Sequence, residues 1–191
     1  MSVRLPQPEL HTPRLHLREV RSDDALALYA IHSDAQVMRY WSYPAWTQLA
    51  QAQAKVDEIA RQRREQDILV WAIADADSDL LIGTIAVFAW NSEQGRAEIG
   101  YSLHRDWQGR GLASEALQPV IEHLFNERGL RRLEADIDPR NQPSCRLVEK
   151  FGFVREGLLR QRWQLDGELC DSALYGLLCQ DYTPPPQGAP R

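Results

Sequence analysis

The sequence predicts an α/β fold in which a mixed central sheet carries helices on both of its faces. Strand-like and helix-like segments alternate from Leu15 to Leu178, the pattern expected when sheet and helix layers share one core. A helix with a double apolar stripe begins at Leu112, directly after a glycine-rich turn. Near the C-terminus, Asp166-Gly167 separates two strand-like runs and is a strong signal for a β-hairpin.

Hydrophobic periodicity and capping residues place each element along the chain. Leu15 and Leu17 alternate with polar neighbours and predict the first strand. Ser22 and Thr47 are predicted N-caps of helices, and Gly129 is a predicted C-cap glycine. The predicted strands cover residues 15–17, 68–74, 80–90, 97–103, 133–137, 158–165 and 168–178, and the predicted helices cover residues 22–31, 33–38, 47–66, 112–129 and 143–150.

Length and composition indicate one domain inside the cell. The 191 residues suit a single domain over residues 1–182, followed by a proline-rich tail over residues 183–191 that we expect to be disordered. No apolar run reaches the ~18 residues needed to span a membrane. The N-terminus lacks the apolar core of a signal peptide. The three cysteines form no paired motif, which fits a reducing compartment, so we expect a cytoplasmic protein without a membrane partner.

Several kinds of site and partner are disfavoured. The five histidines lack metal-ligand spacing and the cysteines argue against structural zinc, so no metal is expected. The net charge of −5 argues against nucleic acid as the main partner and mildly favours a cationic amine. The chain has no Gly-x-Ser-x-Gly elbow, which argues against a serine hydrolase.

The turn from Gln108 to Ala113 (QGRGLA) is the feature that points to a ligand. It connects a predicted strand to a helix N-terminus, where unpaired backbone N–H groups and the helix dipole favour an anion such as phosphate. Gly109 and Gly111 would let the backbone approach that anion closely. The alternative is a glycine-rich corner without a ligand.

Three further stretches, in order, give this turn its context. Gln108, Gly111 and Ala113 fill the pyrophosphate-loop pattern of Gln or Arg, two residues, Gly, one residue, and Gly or Ala. The stretch AEIGY (97–101) precedes the loop, and DPRNQPS (138–144) and FGF (151–153) follow it. Over residues 12–182 the chain resembles the Gcn5-related N-acetyltransferases (GNAT superfamily), in their RimJ/RimL-type branch.

This resemblance implies a fold and a cosubstrate. It implies a mostly antiparallel sheet whose fourth and fifth strands, those of Glu98 and of residues 132–137, splay apart in a V. Acetyl-CoA would lie in that gap with its pyrophosphate on the loop, and no metal would be needed. Similar enzymes are often dimers, so a homodimer is possible. The residues expected to bind acetyl-CoA are Gln108, Gly109, Arg110, Gly111, Ala113, Ser114 and Asn141.

Amine acetylation requires a base for the amine and a hydrogen-bonding group near the departing thiolate. Glu98 is the candidate base, the alternative being a carboxylate on a solvated sheet face. Ser144 would hydrogen-bond the departing sulfur, or else bond the backbone as a first-turn serine. Asn141 would contact the coenzyme A arm, or else act only as a cap. Many relatives use a tyrosine as the acid, and Ser144 is not one.

The acceptor is the least determined part of the prediction. Trp41, Tyr43, Trp46 and Trp90 are candidates to line its pocket, although core roles are the alternative. The predicted acceptor is a protein or peptide N-terminal amine. A small-molecule amine, such as an aminoglycoside, polyamine or amino acid, is the alternative within the class. A non-catalytic acyl-CoA-binding module is the alternative from another class.

Overall fold

The structure, a computed structural model, describes residues 7–65 and 68–185. Within these residues the strands are β1 (Leu10–His11), β2 (Leu15–Glu19), β3 (Leu69–Asp75), β4 (Leu81–Asn91), β5 (Arg96–Leu103), β6 (Arg132–Ile137), β7 (Val154–Leu165) and β8 (Glu168–Leu178). The helices are α1 (Ala25–His32), α2 (Ala35–Met38), α3 (Leu49–Glu65), α4 (Leu112–Asn126) and α5 (Gln142–Lys150). The strands form one sheet in the order β1-β2-β3-β4-β5-β6-β8-β7.

The predicted mixed sheet with helices on both faces is confirmed. The apolar side chains of β3 alternate between the two faces, as a strand requires. Trp71 belongs to the core cluster that α4 and α5 cover, and Ala72 belongs to the cluster that α1 and α3 cover. Helices thus cover the middle strands on both faces, and side chains on such packed elements are placed more precisely than those on loops.

The splay between two central strands is present where the resemblance places it. Among the described strands, β5 and β6 are the one parallel pair, and their paired residues run only from Arg96↔Arg132 to Glu98↔Glu134. Beyond Glu98 the strands separate, although β5 continues to Leu103 and β6 to Ile137. The gap therefore opens directly after the candidate base.

One strand was missed by the sequence prediction. The two residues of β1 pair with β2 in the register Leu10↔Leu17 and His11↔His16. A strand this short has no measurable alternation, so periodicity does not reveal it. The strands predicted as fourth and fifth are consequently β5 and β6.

The helices are confirmed, but two of the predicted caps are wrong. Ser22 lies inside a short 3-10 turn, and the carboxylate of Asp24 accepts from the backbone N–H of Arg21 at 2.7 Å. At the start of α3 the side chain of Gln51 accepts from the backbone N–H of Thr47 at 2.9 Å. In both cases a side chain on the first turn accepts from an N–H at or before the start of the helix, which is the reciprocal half of a capping box and not the bond that an N-cap side chain makes. The predicted end of α3 at Gln66 lies outside the described residues.

The C-terminal hairpin is confirmed and is longer than predicted. Asp166 and Gly167 have φ values of +47° and +85°, the left-handed pair that a two-residue hairpin turn needs. Its first strand, β7, begins at Val154, forms the edge of the sheet and is mostly exposed. Residues 183–185 of the predicted tail form neither helix nor strand, and residues 186–191 lie outside the described part of the chain.

A buried arginine joins the start of α1 to the β3–β4 turn. Arg18 is 2% exposed, and its guanidinium bonds the Asp24 carboxylate at 2.8 and 3.0 Å and Asp79 Oδ1 at 2.8 Å. A charge so deeply buried is tolerated only when it is paired in this way. Among the described helices, none is both long and apolar enough to cross a membrane.

Candidate active site

Glu98 lies at the point where the sheet opens. Its neighbours Ala97 and Ile99 face the core under α4 and α5, so the Glu98 side chain points to the opposite face. Phe88 on β4 and Glu134 on β6 are its cross-strand partners. Glu98 is half-buried, and within the described residues no group donates a hydrogen bond to its carboxylate. It is thus a carboxylate without a structural partner, beside a gap.

The surroundings of Glu98 raise its proton affinity. Burial is the largest cause and the charges of Asp136 and Glu134 add to it, so the pKa of Glu98 rises to about 6. Glu134 also forms ion pairs with Arg96 at 3.0 Å and with Arg132 at 2.8 Å. A carboxylate with a pKa near neutrality is well suited to accept a proton at pH 7.

Asp136 is a second half-buried carboxylate on the same face as Glu98. It lies two residues beyond Glu134 on β6, past the last β5–β6 pair, and therefore on the other wall of the gap. The hydroxyl of Ser172 donates to Asp136 Oδ1. Burial raises the pKa of Asp136, and the charge of Arg162 opposes that effect. The gap is consequently bordered by two carboxylates on the α1–α3 side.

Ser144 meets a tyrosine across the gap. The hydroxyls of Tyr101, on β5, and Ser144, in the first turn of α5, are 2.6 Å apart, and the phenol also reaches the Ser144 carbonyl oxygen at 3.3 Å. Burial raises the pKa of Tyr101 to about 12, so its phenol keeps its proton at neutral pH. Tyr101 was not among the predicted site residues, yet it supplies the phenol that Ser144 lacks.

Asn141 is the N-cap of α5. Its side-chain oxygen accepts from the backbone N–H of Ser144 at 3.3 Å, as the capping alternative predicted. The cap uses the amide oxygen and not the amide nitrogen, so a contact of that nitrogen with coenzyme A stays a prediction. Asn141 therefore at least fixes the position of Ser144 against Tyr101.

The glycine-rich turn has the conformation that an anion site needs. Gly109 and Gly111 have φ values of +74° and +77°, a region that residues with a Cβ rarely adopt. Gly111 is the N-cap of α4, so the N–H groups of the first turn, which include Ala113 and Ser114, have no intrahelical partner. Apart from its two chain neighbours, no described residue has an atom within 4 Å of the place where a Cβ of Gly109 would be. The loop offers donors and open space, which fit a phosphate group.

Cationic side chains adjoin this loop. Lys150 Nζ donates to Ser114 Oγ at 3.0 Å, and Arg14 donates to the carbonyl oxygen of Arg110 at 3.1 Å. The side chain of Gln108 faces inward and donates to the carbonyl oxygen of Leu103 at 2.9 Å, which ties the loop to β5. Lys150 and Arg14 were not predicted, because nothing in the local sequence places either beside the loop.

The structure brings together three of the four predicted pocket aromatics. Trp41, Tyr43 and Trp46 surround His32, with ring centroids 5.2, 6.2 and 4.4 Å from it. Burial and the charge of Lys55 lower the pKa of His32 to about 4, so this cluster contains a neutral imidazole. A cavity of about 370 Å³ adjoins it, lined by Tyr43, Trp46, Gln51, Ala54, Lys55 and Glu58.

Trp90 does not join this cluster. It packs against the core on the α4–α5 side of the sheet, and its indole N–H donates to the carbonyl oxygen of Val87 at 3.2 Å. Trp90 thus lies apart from the other three aromatics, and a pocket role for it stays a prediction. Tyr40, next to Trp41, lies under the guanidinium of Arg140 at 5.8 Å, just beyond the end of β6.

Comparisons with known proteins identify the family of this chain. The model of the Acetyltransferase (GNAT) domain matches residues 14–154. An uncharacterized N-acetyltransferase p20 of Bacillus licheniformis is 36% identical over 91% of this chain and 97% of its own length. The [ribosomal protein uS5]-alanine N-acetyltransferase of Escherichia coli is 28% identical over 94% and 95%. The spermidine N(1)-acetyltransferase of the same organism is 25% identical over 84% and 83%.

The fold comparison gives the same result. A GNAT-family acetyltransferase from Bacillus anthracis superposes with a TM-score of 0.81 at 26% identity, over 91% of this chain and 99% of that one. Enzymes of this family take the acetyl group from acetyl-CoA. The chain therefore belongs to the Gcn5-related N-acetyltransferase family, in its RimJ/RimL-type branch, and is an N-acetyltransferase.

Proposed function

We propose that this enzyme acetylates a primary amine by direct attack on acetyl-CoA, with Glu98 as the general base. The observation that carries the proposal is the half-buried Glu98 carboxylate, which has no hydrogen-bond donor among the described residues and borders the gap. A single domain over residues 1–182 would perform this reaction in the cytoplasm, and the chemistry requires no metal.

The proposed base and the proposed proton donor lie on opposite faces of the sheet at the gap. Glu98 points to the α1–α3 face, so the amine would arrive there and lose its proton to the carboxylate. The amine nitrogen forms a bond to the thioester carbonyl carbon, and the carbon–sulfur bond then breaks. No covalent intermediate with the enzyme is needed.

The departing thiolate would be met on the other face. Tyr101 and Ser144 lie on the α4–α5 side, hydrogen-bonded to each other at 2.6 Å. The Tyr101 phenol is protonated at pH 7 and would pass a proton, through the Ser144 hydroxyl, to the sulfur. Glu98 gains one proton and Tyr101 loses one, so solvent restores both groups between turnovers.

The phosphates of acetyl-CoA would bind at the start of α4. The N–H groups of the first turn and the left-handed Gly109 and Gly111 supply the cradle, and Gln108 anchors it to β5. Lys150 and Arg110 lie beside the loop and would add positive charge. Asn141 is proposed to contact the coenzyme A arm while it caps α5.

We propose a protein or peptide N-terminal amine as the acceptor. The uS5-alanine acetyltransferase aligns along nearly the whole chain, which supports this class. An α-amine titrates at about 7.7–8.0, so only modest help from a base is needed at pH 7. A small amine is the second candidate, because the spermidine acetyltransferase is also similar and two carboxylates border the gap.

A competition assay tests the acceptor class. Peptides that begin with Ala, Ser or Met are offered together with lysine and spermidine, and released thiol and acetylated products are quantified. N-terminal peptides are expected to react fastest. If spermidine alone is acetylated, the proposed acceptor is wrong and the proposed reaction class stands. Binding of acetyl-CoA without acetylation of any amine would favour the non-catalytic acyl-CoA-binding module. Light scattering would test the proposed homodimer.

A further inference from the structure

The N-terminal hairpin brings two histidines and a glutamate together, away from the acetyl-transfer site. His11 and His16 are directly paired across β1 and β2, and their rings stack with centroids 4.4 Å apart. Glu9 Oε2 lies 3.1 Å from His16 Nε2. One nitrogen of each imidazole and one oxygen of Glu9 all lie within 4.8 Å of one another.

We propose that Glu9, His11 and His16 form a binding site for a divalent transition-metal ion of the zinc type. Two imidazoles and a carboxylate are a ligand set that Zn²⁺ accepts, with water completing a tetrahedron. In such a tetrahedron, with metal–ligand distances of about 2.1 Å, neighbouring ligand atoms are ~3.4 Å apart. At 3.1 Å the contact between Glu9 and His16 is close to this spacing, and side-chain rotation can bring His11 into place, because Glu9 and His11 are exposed.

A second carboxylate orients one of the ligands. Asp79 Oδ1 lies 3.5 Å from His16 Nδ1, so the other ring nitrogen, Nε2, is turned toward Glu9. Metal-binding histidines characteristically have an acidic or carbonyl partner on the second nitrogen. Arg18 and Arg21 hold the Asp79 carboxylate in place with hydrogen bonds of 2.8 and 2.6 Å.

The nearby arginines do not prevent cation binding. Arg18 is paired with Asp24 and Asp79, and Arg21 bonds Asp79 at 2.6 Å, so the carboxylates offset their charge. Sequence spacing did not predict this site, because His11 and His16 are brought together only by the cross-strand register of a two-residue strand. Zinc would fasten β1 to β2. The turn between these strands braces α4, since Thr12 donates to Glu115 at 2.6 Å.

Calorimetric titration of the full, tag-free chain with Zn²⁺ after removal of metals tests the proposal. We expect one site, and a loss of affinity of at least tenfold in His11→Ala, in His16→Ala and in Glu9→Gln. His104→Ala removes a histidine outside the cluster and should bind as the unaltered protein does. Zn²⁺ should also raise the Tm of the unaltered protein and not that of His16→Ala.

Each contrary result is decisive. No binding by the unaltered protein, or unchanged binding in either histidine variant, would overturn the site. Loss of binding in His104→Ala would assign the metal elsewhere and overturn it as well. Circular dichroism of each variant distinguishes lost ligands from lost folding, and Glu9→Gln removes only a charge from an exposed residue. Because no step of acetyl transfer uses these residues, the test is independent of the proposed function.

Discussion

Replacing Glu98 with glutamine separates its role as a base from any structural role. Glutamine has the same shape, and no donor among the described residues would lose its acceptor. We expect kcat at pH 7 to fall by roughly 10²–10⁴, the usual contribution of a general base. Affinity for acetyl-CoA should hardly change, because the phosphate loop is at the other end of β5. The assay follows free thiol release at saturating acetyl-CoA.

The pH profile gives the sharper measurement. With a pKa of about 6, Glu98 is the active carboxylate above pH 6 and is protonated below it. At pH 7 about 90% of the enzyme would carry the base in its active form, and at pH 5 only about 10%. The rate of the unaltered enzyme should therefore rise about tenfold from pH 5 to pH 7. Glu98→Gln should lack this rise and regain activity only as the amine deprotonates near pH 8.

Asp136 should set the position of that rise. After burial, its charge is the largest cause that raises the pKa of Glu98, so Asp136→Asn should move the rise to below pH 6. Asp57→Asn is the matched control, since it removes the same charge from an exposed residue of α3 that does not act on Glu98. A profile that shifts equally in both variants would mean that net charge, and not Asp136, is responsible.

The free energy of unfolding of Glu98→Gln provides the folding control, and the raised pKa of Glu98 determines the direction in which this free energy changes with pH. Because the pKa of Glu98 is raised on folding, the folded state binds its proton more tightly and stability falls as pH rises between about 4.5 and 6. Glutamine removes this loss, so Glu98→Gln should unfold at the same or a higher denaturant concentration at pH 8. A wild-type rate at pH 7 in this folded variant, or no rise near pH 6 in the unaltered enzyme, would refute Glu98 as the base.

Three other predictions concern the loop, the leaving group and the core. Gly111→Asp should weaken acetyl-CoA binding more than tenfold, which is over ~1.4 kcal/mol, because it places a carboxylate and a Cβ at a residue with φ +77°. Calorimetry measures this affinity, and an unchanged value would mean that the loop does not bind the phosphates. Tyr101→Phe and Ser144→Ala should each lower kcat by less than Glu98→Gln does, and the double variant should lose little more than either. Additive losses would mean that Tyr101 and Ser144 act separately. Arg18→Met should lower the free energy of unfolding by about 3–5 kcal/mol in denaturant titrations, because it leaves Asp24 buried without its cation.

The order of residues within each short segment was enough to predict most helices and strands and the conformation of single turns. Alternation along a strand is enough to put Glu98 on the face opposite Ala97 and Ile99, which is where the structure has it. The Asp166-Gly167 turn was predicted because its backbone angles demand particular residues. These features depend on neighbours in sequence, so a single chain reveals them.

Contacts between distant segments could not be predicted in this way. The pairs Tyr101–Ser144 and Lys150–Ser114 join residues 43 and 36 positions apart, and each depends on how α5 packs beside α4 and β5. The separation of Trp90 from the other three aromatics could not be predicted for the same reason, because composition does not tell which face of a sheet a tryptophan joins. The predicted caps at Ser22 and Thr47 were wrong because Asp24 and Gln51, on the first turns, instead accept from N–H groups at the helix starts.

The gap itself follows from the way the chain crosses the sheet. Neighbouring parallel strands cannot be joined by a hairpin, and α4 provides the crossover from β5 to β6. Pairing stops at Glu98, so the β6-facing N–H and C=O groups of β5 beyond it require another partner. A polar, extended arm of coenzyme A can supply that partner, while its phosphates lie at the start of the same crossover helix. The opening, where β5 and β6 do not pair, thus connects the face of Glu98 with the face of Tyr101. A thioester bound there would have the proposed base on one side and the proposed proton donor on the other.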